Sequence, residues 1–246
     1  MILSFECSIN SEENVINVKE NNQFIGKYHL INEPFCEKCS LPLDPELSIC
    51  DNCWGIEYYF DAARTLGLYF KMNYEGTLSY ITKPENDILS THIRYLKNRR
   101  QYPINIKWAK PLGKAIALCI NNRFIEFKSS DIIIPVPQHP NSINRRGYNQ
   151  AEEIAKVACR ELDIELKPDI LRKAKDINMR DKNLEERRKL VIDAYQSTTR
   201  LNDETVLLID DTFTTGSNVN ECARILKNIG AQNVYVMVVG RDVFEY

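Results

Sequence analysis

Residues 206–218 read VLLIDDTFTTGSN. An apolar run of strand length, bounded by turn residues, predicts a strand buried on both faces. It ends in two adjacent aspartates, and side-by-side carboxylates repel unless cations or hydroxyls come to meet them. The next segment stands between that strand and a helix-like stretch, NVNECARILKNIG (218–230). A helix start offers unsatisfied backbone N–H groups and a positive dipole end. Gly216 lets the backbone approach a ligand, and Thr214, Thr215, Ser217 and Asn218 add side-chain donors. That combination predicts a phosphate cradle, with Thr212 and Phe213 opening the same segment. Asp210 and Asp211, pure acceptors directly before it, suit vicinal hydroxyls. The ligand class is therefore a ribose phosphate.

Apolar residues followed by two acids also occur in nucleotide hydrolases, beside a partner loop GxxxxGK[ST]. The nearest candidate, PLGKA, has Trp108 in place of the first glycine and Ala115 in the last position, so that reading fails.

The same alternation extends through residues 131–246. DIIIPVP (131–137) and NVYVMVVG (233–240) read as buried strands, and GYNQAEEIAKVACREL (147–162) as a helix with Ala151, Ile154, Ala155, Ala158 and Leu162 on one face. Buried strands alternating with helices predict an α/β fold on a parallel sheet, with ligands bound beyond the carboxyl ends of the strands. Two such ends are chemically loaded: DDTFTTGSN, and PVPQHPNSINRRGYNQ (135–150), read as a loop. Arg145 and Arg146 in that loop suit pyrophosphate, because guanidinium pairs with phosphate oxygens bidentately. His139 has no partner visible in sequence and reads as exposed. RKAKDINMRDKNLEERRK (172–189) holds eight bases and four acids and lacks an apolar stripe before Leu184. Its first half reads as a mobile loop able to close over the site, where Lys175 and Arg180 would meet the pyrophosphate.

Upstream, CEKCSLPLDPELSICDNC (36–53) carries two knuckles of identical spacing. Cys36, Cys39, Cys50 and Cys53 supply four thiolates for one tetrahedral Zn²⁺ with no open position, hence a structural site. Acids surround it, so a role as a folding staple is favoured over nucleic-acid contact. Residues 1–34 alternate weakly, as a small meander would. Residues 55–83 are rich in aromatics, and DILSTHIRYLKNRR (87–100) reads as a helix capped by Asp87. PLGKAIALCINNRF (111–124) reads as another, with Pro111 in its first turn. Three regions follow: 1–54 with the zinc module, 55–130 as a linking hood with basic helices, and 131–246 as the core.

The 246 residues are 43% hydrophobic with a formal net charge of -2, which singles out no partner. The distribution is uneven. Residues 1–60 hold ten acids against three bases, and 94–128 hold nine bases against Glu126 alone. No apolar run reaches the roughly 18–20 residues that cross a bilayer. The N-terminus lacks a basic secretory leader. Clustered and scattered cysteines without a secreted framework point to the cytoplasm.

VLLIDDTFTTGSN resembles the phosphoribosyl pyrophosphate signature of type I phosphoribosyltransferases. More narrowly, IRYLKNRRQY, DIIIPVP, INRRGYNQAEEIA and LEERRKLVIDAY, in this order behind a four-cysteine element, resemble the ComF family. The resemblance implies a type I phosphoribosyltransferase fold in which the two acids bind ribose hydroxyls and the threonine-glycine loop binds the 5-phosphate, with Mg²⁺ accompanying phosphoribosyl pyrophosphate. Departures fall at Asn218, where the family's signature closes on threonine, at Asp176 and Met179, where threonine and glutamine are usual, and at Leu190, where asparagine is common. Two functions fit: a Mg²⁺-dependent phosphoribosyltransferase with an unassigned acceptor, or a non-catalytic ComF-type accessory protein of DNA uptake that binds single-stranded DNA, phosphoribosyl pyrophosphate, or both.

Overall fold

In the computed structural model, residues 4–44, 46–70, 83–85, 87–98, 104–177 and 182–243 are described. The N-terminal meander is an antiparallel three-stranded sheet, β1 (Phe5–Asn10), β2 (Val15–Glu20) and β3 (Gln23–His29). The four-cysteine segment follows, and then β4 (Ala62–Tyr69), α1 (Leu89–Lys97) and α2 (Ala109–Asn122). The remaining elements are β5 (Ile132–Pro135), α3 (Pro140–Arg146), α4 (Gln150–Leu162), β6 (Glu165–Leu166), β7 (Arg172–Lys173), α5 (Leu184–Val191), β8 (Tyr195–Gln196), β9 (Thr205–Phe213), α6 (Ser217–Asn228) and β10 (Asn233–Asp242). No helix among the described residues is long and apolar enough to cross a membrane.

The central sheet has the order β4-β10-β9-β5-β6, and every pairing in it is parallel. Its strands are apolar on both faces because both faces are covered. Ile133, Leu207, Ile209, Met237 and Val239 pack with α1, α2, α4 and the meander. Ile132, Ile134, Val206, Leu208, Val236 and Val238 pack with α6 and the four cysteines. The 55–130 region thus supplies an edge strand and two helices to this core.

From β5 the chain crosses through α4 to β6 on one side, while β9 lies on the other. Neighbouring strands whose connections diverge leave a crevice at their carboxyl ends. The two loaded segments meet there.

Several boundaries differ from expectation. The loop after β5 contains α3, started by His139 as N-cap with Pro140 at its first position, and ended by Gly147 in the left-handed region (φ 95°). Helix α1 begins at Leu89 rather than at Asp87, although Asp87 Oδ1 still accepts from the Leu89 amide at 3.4 Å. It ends at Lys97, and 99–103 lie outside the described residues. Strand β9 runs on through both aspartates to Phe213, because Thr212 and Phe213 still pair with Gly240 and Arg241.

Candidate functional site

The crevice is a cleft of about 150 Å³. Its walls are Val136–Gln138 after β5, Lys173 and Tyr195 from the β7–β8 hairpin, Arg187 from α5, and residues 210–219. The acid pair and the threonine-glycine loop therefore share one cavity.

Because β9 continues through the pair, the two carboxylates leave the strand on opposite faces. They are not a side-by-side fork. Asp210 is buried and accepts from the Asp211 amide at 2.8 Å. Burial, and then the Asp211 charge, push its carboxyl up to about 8, against the opposing pull of that amide, Lys97 and Lys173. Asp211 Oδ2 lies 3.5 Å from Lys97 Nζ, and its Oδ1 accepts from Thr212 Oγ1 at 3.0 Å. Lys97 also donates to Thr212 Oγ1 at 2.7 Å and sits 5.2 Å from the centre of the Tyr69 ring. Lys173 lies 5.1 Å from the Tyr195 ring centre, and its burial lowers its pKa. Two lysines from remote segments thus meet the acids. Lys97 falls within IRYLKNRRQY, one of the stretches that carry the family resemblance, but nothing in that stretch assigns it to the acids, and Lys173 belongs to no such motif.

Gly216 adopts φ 72° and caps α6. A Cβ there would run into the Phe213 ring, which is buried beneath the turn as a base plate. Thr215 and Ser217 hydroxyls lie 2.7 Å apart, and the Ser217 amide donates to Thr215 Oγ1 at 3.3 Å. Asn218 Oδ1 accepts from Tyr195 OH at 3.0 Å, while Thr214 Oγ1 donates to Asp242 at 3.4 Å. Buried Arg241, at the end of β10, donates to the carbonyls of Phe213 and Thr214 at 3.2 and 3.0 Å. Sequence reasoning missed this brace, although a charged pair closing an apolar strand is the same signal that marked β9.

The other expected cations lie elsewhere. Arg145 and Arg146 belong to α3, not to the cleft wall. Arg145 donates to Ser142 Oγ at 3.1 Å and lies 3.6 Å from Asp176 Oδ2, and Arg146 donates to Gln150 Oε1 at 2.6 Å. His139 is only partly exposed; it caps α3 and approaches Asp176 at 3.8 Å. Asn141 also donates to Asp176, and that bond, with Arg145 and His139 beside it, holds the carboxyl below the usual range. The helix therefore ties down the segment after β7. Lys175 is exposed and donates to the Ile192 carbonyl at 2.8 Å, and Arg180 lies outside the described residues. Arg187, by contrast, lies on the cleft wall. Its helix α5 opens with an Asn183–Glu186 capping box, legible as N-x-x-E but overlooked because the helix is so charged.

The Sγ atoms of Cys36, Cys39, Cys50 and Cys53 all lie within 4.8 Å of one another, and all four residues are buried. A tetrahedron of thiolates about 2.3 Å from a metal has edges of ~3.8 Å. Tyr58 OH and the Cys50 amide donate to Cys53 and Cys36 sulfurs at 3.3 and 3.4 Å. This module touches the supports of the turn that starts α6. Tyr59 N donates to Asn220 Oδ1 at 2.8 Å and Asn220 donates back to Glu57 O at 3.0 Å, clasping the first turn of α6. Phe60 meets the Phe213 ring edge-on with centroids 6.5 Å apart, and Arg188 of α5 donates to Asn52 O at 2.9 Å.

No known protein-family model matches the chain. Competence protein F of Haemophilus influenzae is 27% identical over 214 residues, covering 85% of each protein. Competence protein ComFC of Streptococcus pneumoniae is 27% identical over 123 residues, 50% of this chain and 53% of that one. Among solved structures, a purine phosphoribosyltransferase from Pyrococcus horikoshii (16% identity, TM-score 0.34) covers 55% of this chain and 91% of its own. An adenine phosphoribosyltransferase (17% identity, TM-score 0.37) covers 60% and 89%. The chain, an α/β protein with a parallel sheet and a clustered four-cysteine module, is a homologue of the competence proteins F and ComFC.

Proposed function

We propose that the cleft binds phosphoribosyl pyrophosphate and that the protein is a phosphoribosyltransferase of the ComF type. The observation that carries this reading is the sharing of one cavity, at the carboxyl ends of adjacent parallel strands, by an acid pair and a glycine-turned helix start. Asp210 and Asp211 accept the ribose hydroxyls. The start of α6, with Thr214, Thr215, Ser217 and Asn218, holds the 5-phosphate. Asp211, which rests against one displaceable ammonium and a neighbouring hydroxyl, suits a sugar arriving with Mg²⁺, which would supply charge neutralisation at the leaving pyrophosphate. Breaking the anomeric bond builds positive charge on the sugar, which Asp211 offsets, and negative charge on the leaving group, which Arg187 and Lys173 face. The α5 and β7 segments keep water from that bond. Four buried thiols at tetrahedral spacing fit a structural Zn²⁺, and unpaired cysteines fit a reducing cytoplasm.

Calorimetry with phosphoribosyl pyrophosphate and Mg²⁺ tests the reading. The double variant Asp210→Asn/Asp211→Asn is expected to lose at least about 2 kcal/mol of binding, the scale of hydrogen bonds to charged groups. Unchanged affinity would sink the proposal. The relatives' association with competence supports the second reading, an accessory in DNA uptake that binds single-stranded DNA. Its basis in the basic stretch 94–128 is weakened here, since Arg94 donates to Phe70 O, Lys107 pairs with Glu20 and Lys114 with Glu161. Single-stranded DNA affinity that falls steeply with salt would restore it.

A further inference from the structure

Lys97 is not on the cleft wall itself, yet it reaches the acid pair from a remote segment. It ends α1, 115 residues before Thr212, and its ammonium bridges the Thr212 hydroxyl and the Asp211 carboxylate over the Tyr69 ring. The side chain is 30% exposed, so the contact borders solvent rather than the core. Its helix is also pinned to the opposite wall. Tyr148, in the segment following β5, donates to the Leu96 carbonyl at 2.5 Å. Lys97 therefore stands between the tip of β9 and the segment after β5.

That position has a consequence for any sugar held as above, and the following rests on that reading. With the 5-phosphate at the start of α6 and the hydroxyls at the acids, the 1-position points away from the α6 turn. Sugar hydroxyls that donate to Asp211 compete for the oxygens Lys97 now faces. A displaced ammonium near the surface costs little to move, and the pyrophosphate, which carries more negative charge than one Mg²⁺ neutralises, offers it a new partner. We propose that Lys97 is a partner-exchanging cation, counter-ion to Asp211 in the empty cleft and ligand to the 1-pyrophosphate once the sugar is seated. The exchange conserves charge, because one lysine serves the protein's anion before binding and the ligand's anion after it. Thr212 gives the ammonium a neutral second partner through the transfer.

The test compares two ligands that differ only at the 1-position. Wild type, Lys97→Met and Lys97→Arg are titrated calorimetrically with ribose 5-phosphate and with phosphoribosyl pyrophosphate, each with Mg²⁺. For Lys97→Met, pyrophosphate-bearing ligand is expected to bind about tenfold or more weakly, the loss of one charge-assisted contact. Ribose 5-phosphate is expected to hold its affinity within about threefold, and Lys97→Arg to recover most of the loss. A Lys97→Met protein that loses both ligands equally would overturn the exchange, reducing Lys97 to a structural partner of Asp211. Loss of neither would also overturn it, while leaving the sugar-phosphate reading intact. A wild type that binds neither ligand would overturn both.

Discussion

At the scale of single residues, Asp210 is a strongly perturbed carboxyl on the cleft wall. Burial, and then the Asp211 charge, push its carboxyl up to about 8 from an ordinary 3.8. A proton bound more tightly by the fold than by the open chain stabilises fully below about pH 4, and that contribution drains away as pH climbs to about 8. Asp210→Asn never ionises, so the melting temperature of the ligand-free wild type should fall relative to the variant's between about pH 5 and 8. Parallel curves would refute the shift. The acids and the turn were legible because a buried strand ending in charge is a conflict that only a ligand or a counter-ion resolves. Lys97 and Lys173 were not, since a lysine on a helix end or in a short hairpin is locally unremarkable, and only the tertiary fold brings it to an acid. Arg145 and Arg146 misled for the opposite reason. Their place after β5 was right, but a proline start and a glycine stop wound them into α3, which turns them toward Ser142, Gln150 and Asp176.

At the scale of elements, periodicity located β5, α4, β9, α6 and β10, whose apolar patterns are imposed by two covered faces. It failed where elements are short or highly charged. β7 and β8 pair over only two residues each, too few to show alternation. Helix α5 is held by its cap more than by an apolar stripe. Asn183 accepts from the Glu186 amide and Glu186 accepts from the Asn183 amide, both at 2.9 Å. Asn183→Ala should weaken this start by about 1 kcal/mol. The readout is faster amide exchange confined to 184–191, where Arg187 faces the cleft; unchanged protection there would show that docking of Arg188 on the cysteine module suffices.

At the scale of the whole molecule, the cysteine module is not an appendage. It covers one face of the sheet together with α6, so its sulfurs share a core with Val206, Leu208 and Phe213. Chelating the metal from the purified holoprotein should therefore weaken binding of ribose 5-phosphate, measured calorimetrically, even though no cysteine lines the cleft. Equal affinity before and after chelation would show that the phosphate loop stands without the module. A parallel sheet with helices on both faces was legible in outline from alternating strands and helices, while the order of its strands and the place of β4 at its edge were not.

The clasp between Asn220 and the backbone at Glu57 and Tyr59 carries one more consequence. It joins residues 161 and 163 positions apart, one side following the four-cysteine cluster and the other in the first turn that would cradle an anion. Whatever fills the anion seat would stiffen that turn and, through it, hinder the knuckles from opening. Sugar phosphate should thus slow the escape of zinc, so that each occupant guards the other's place.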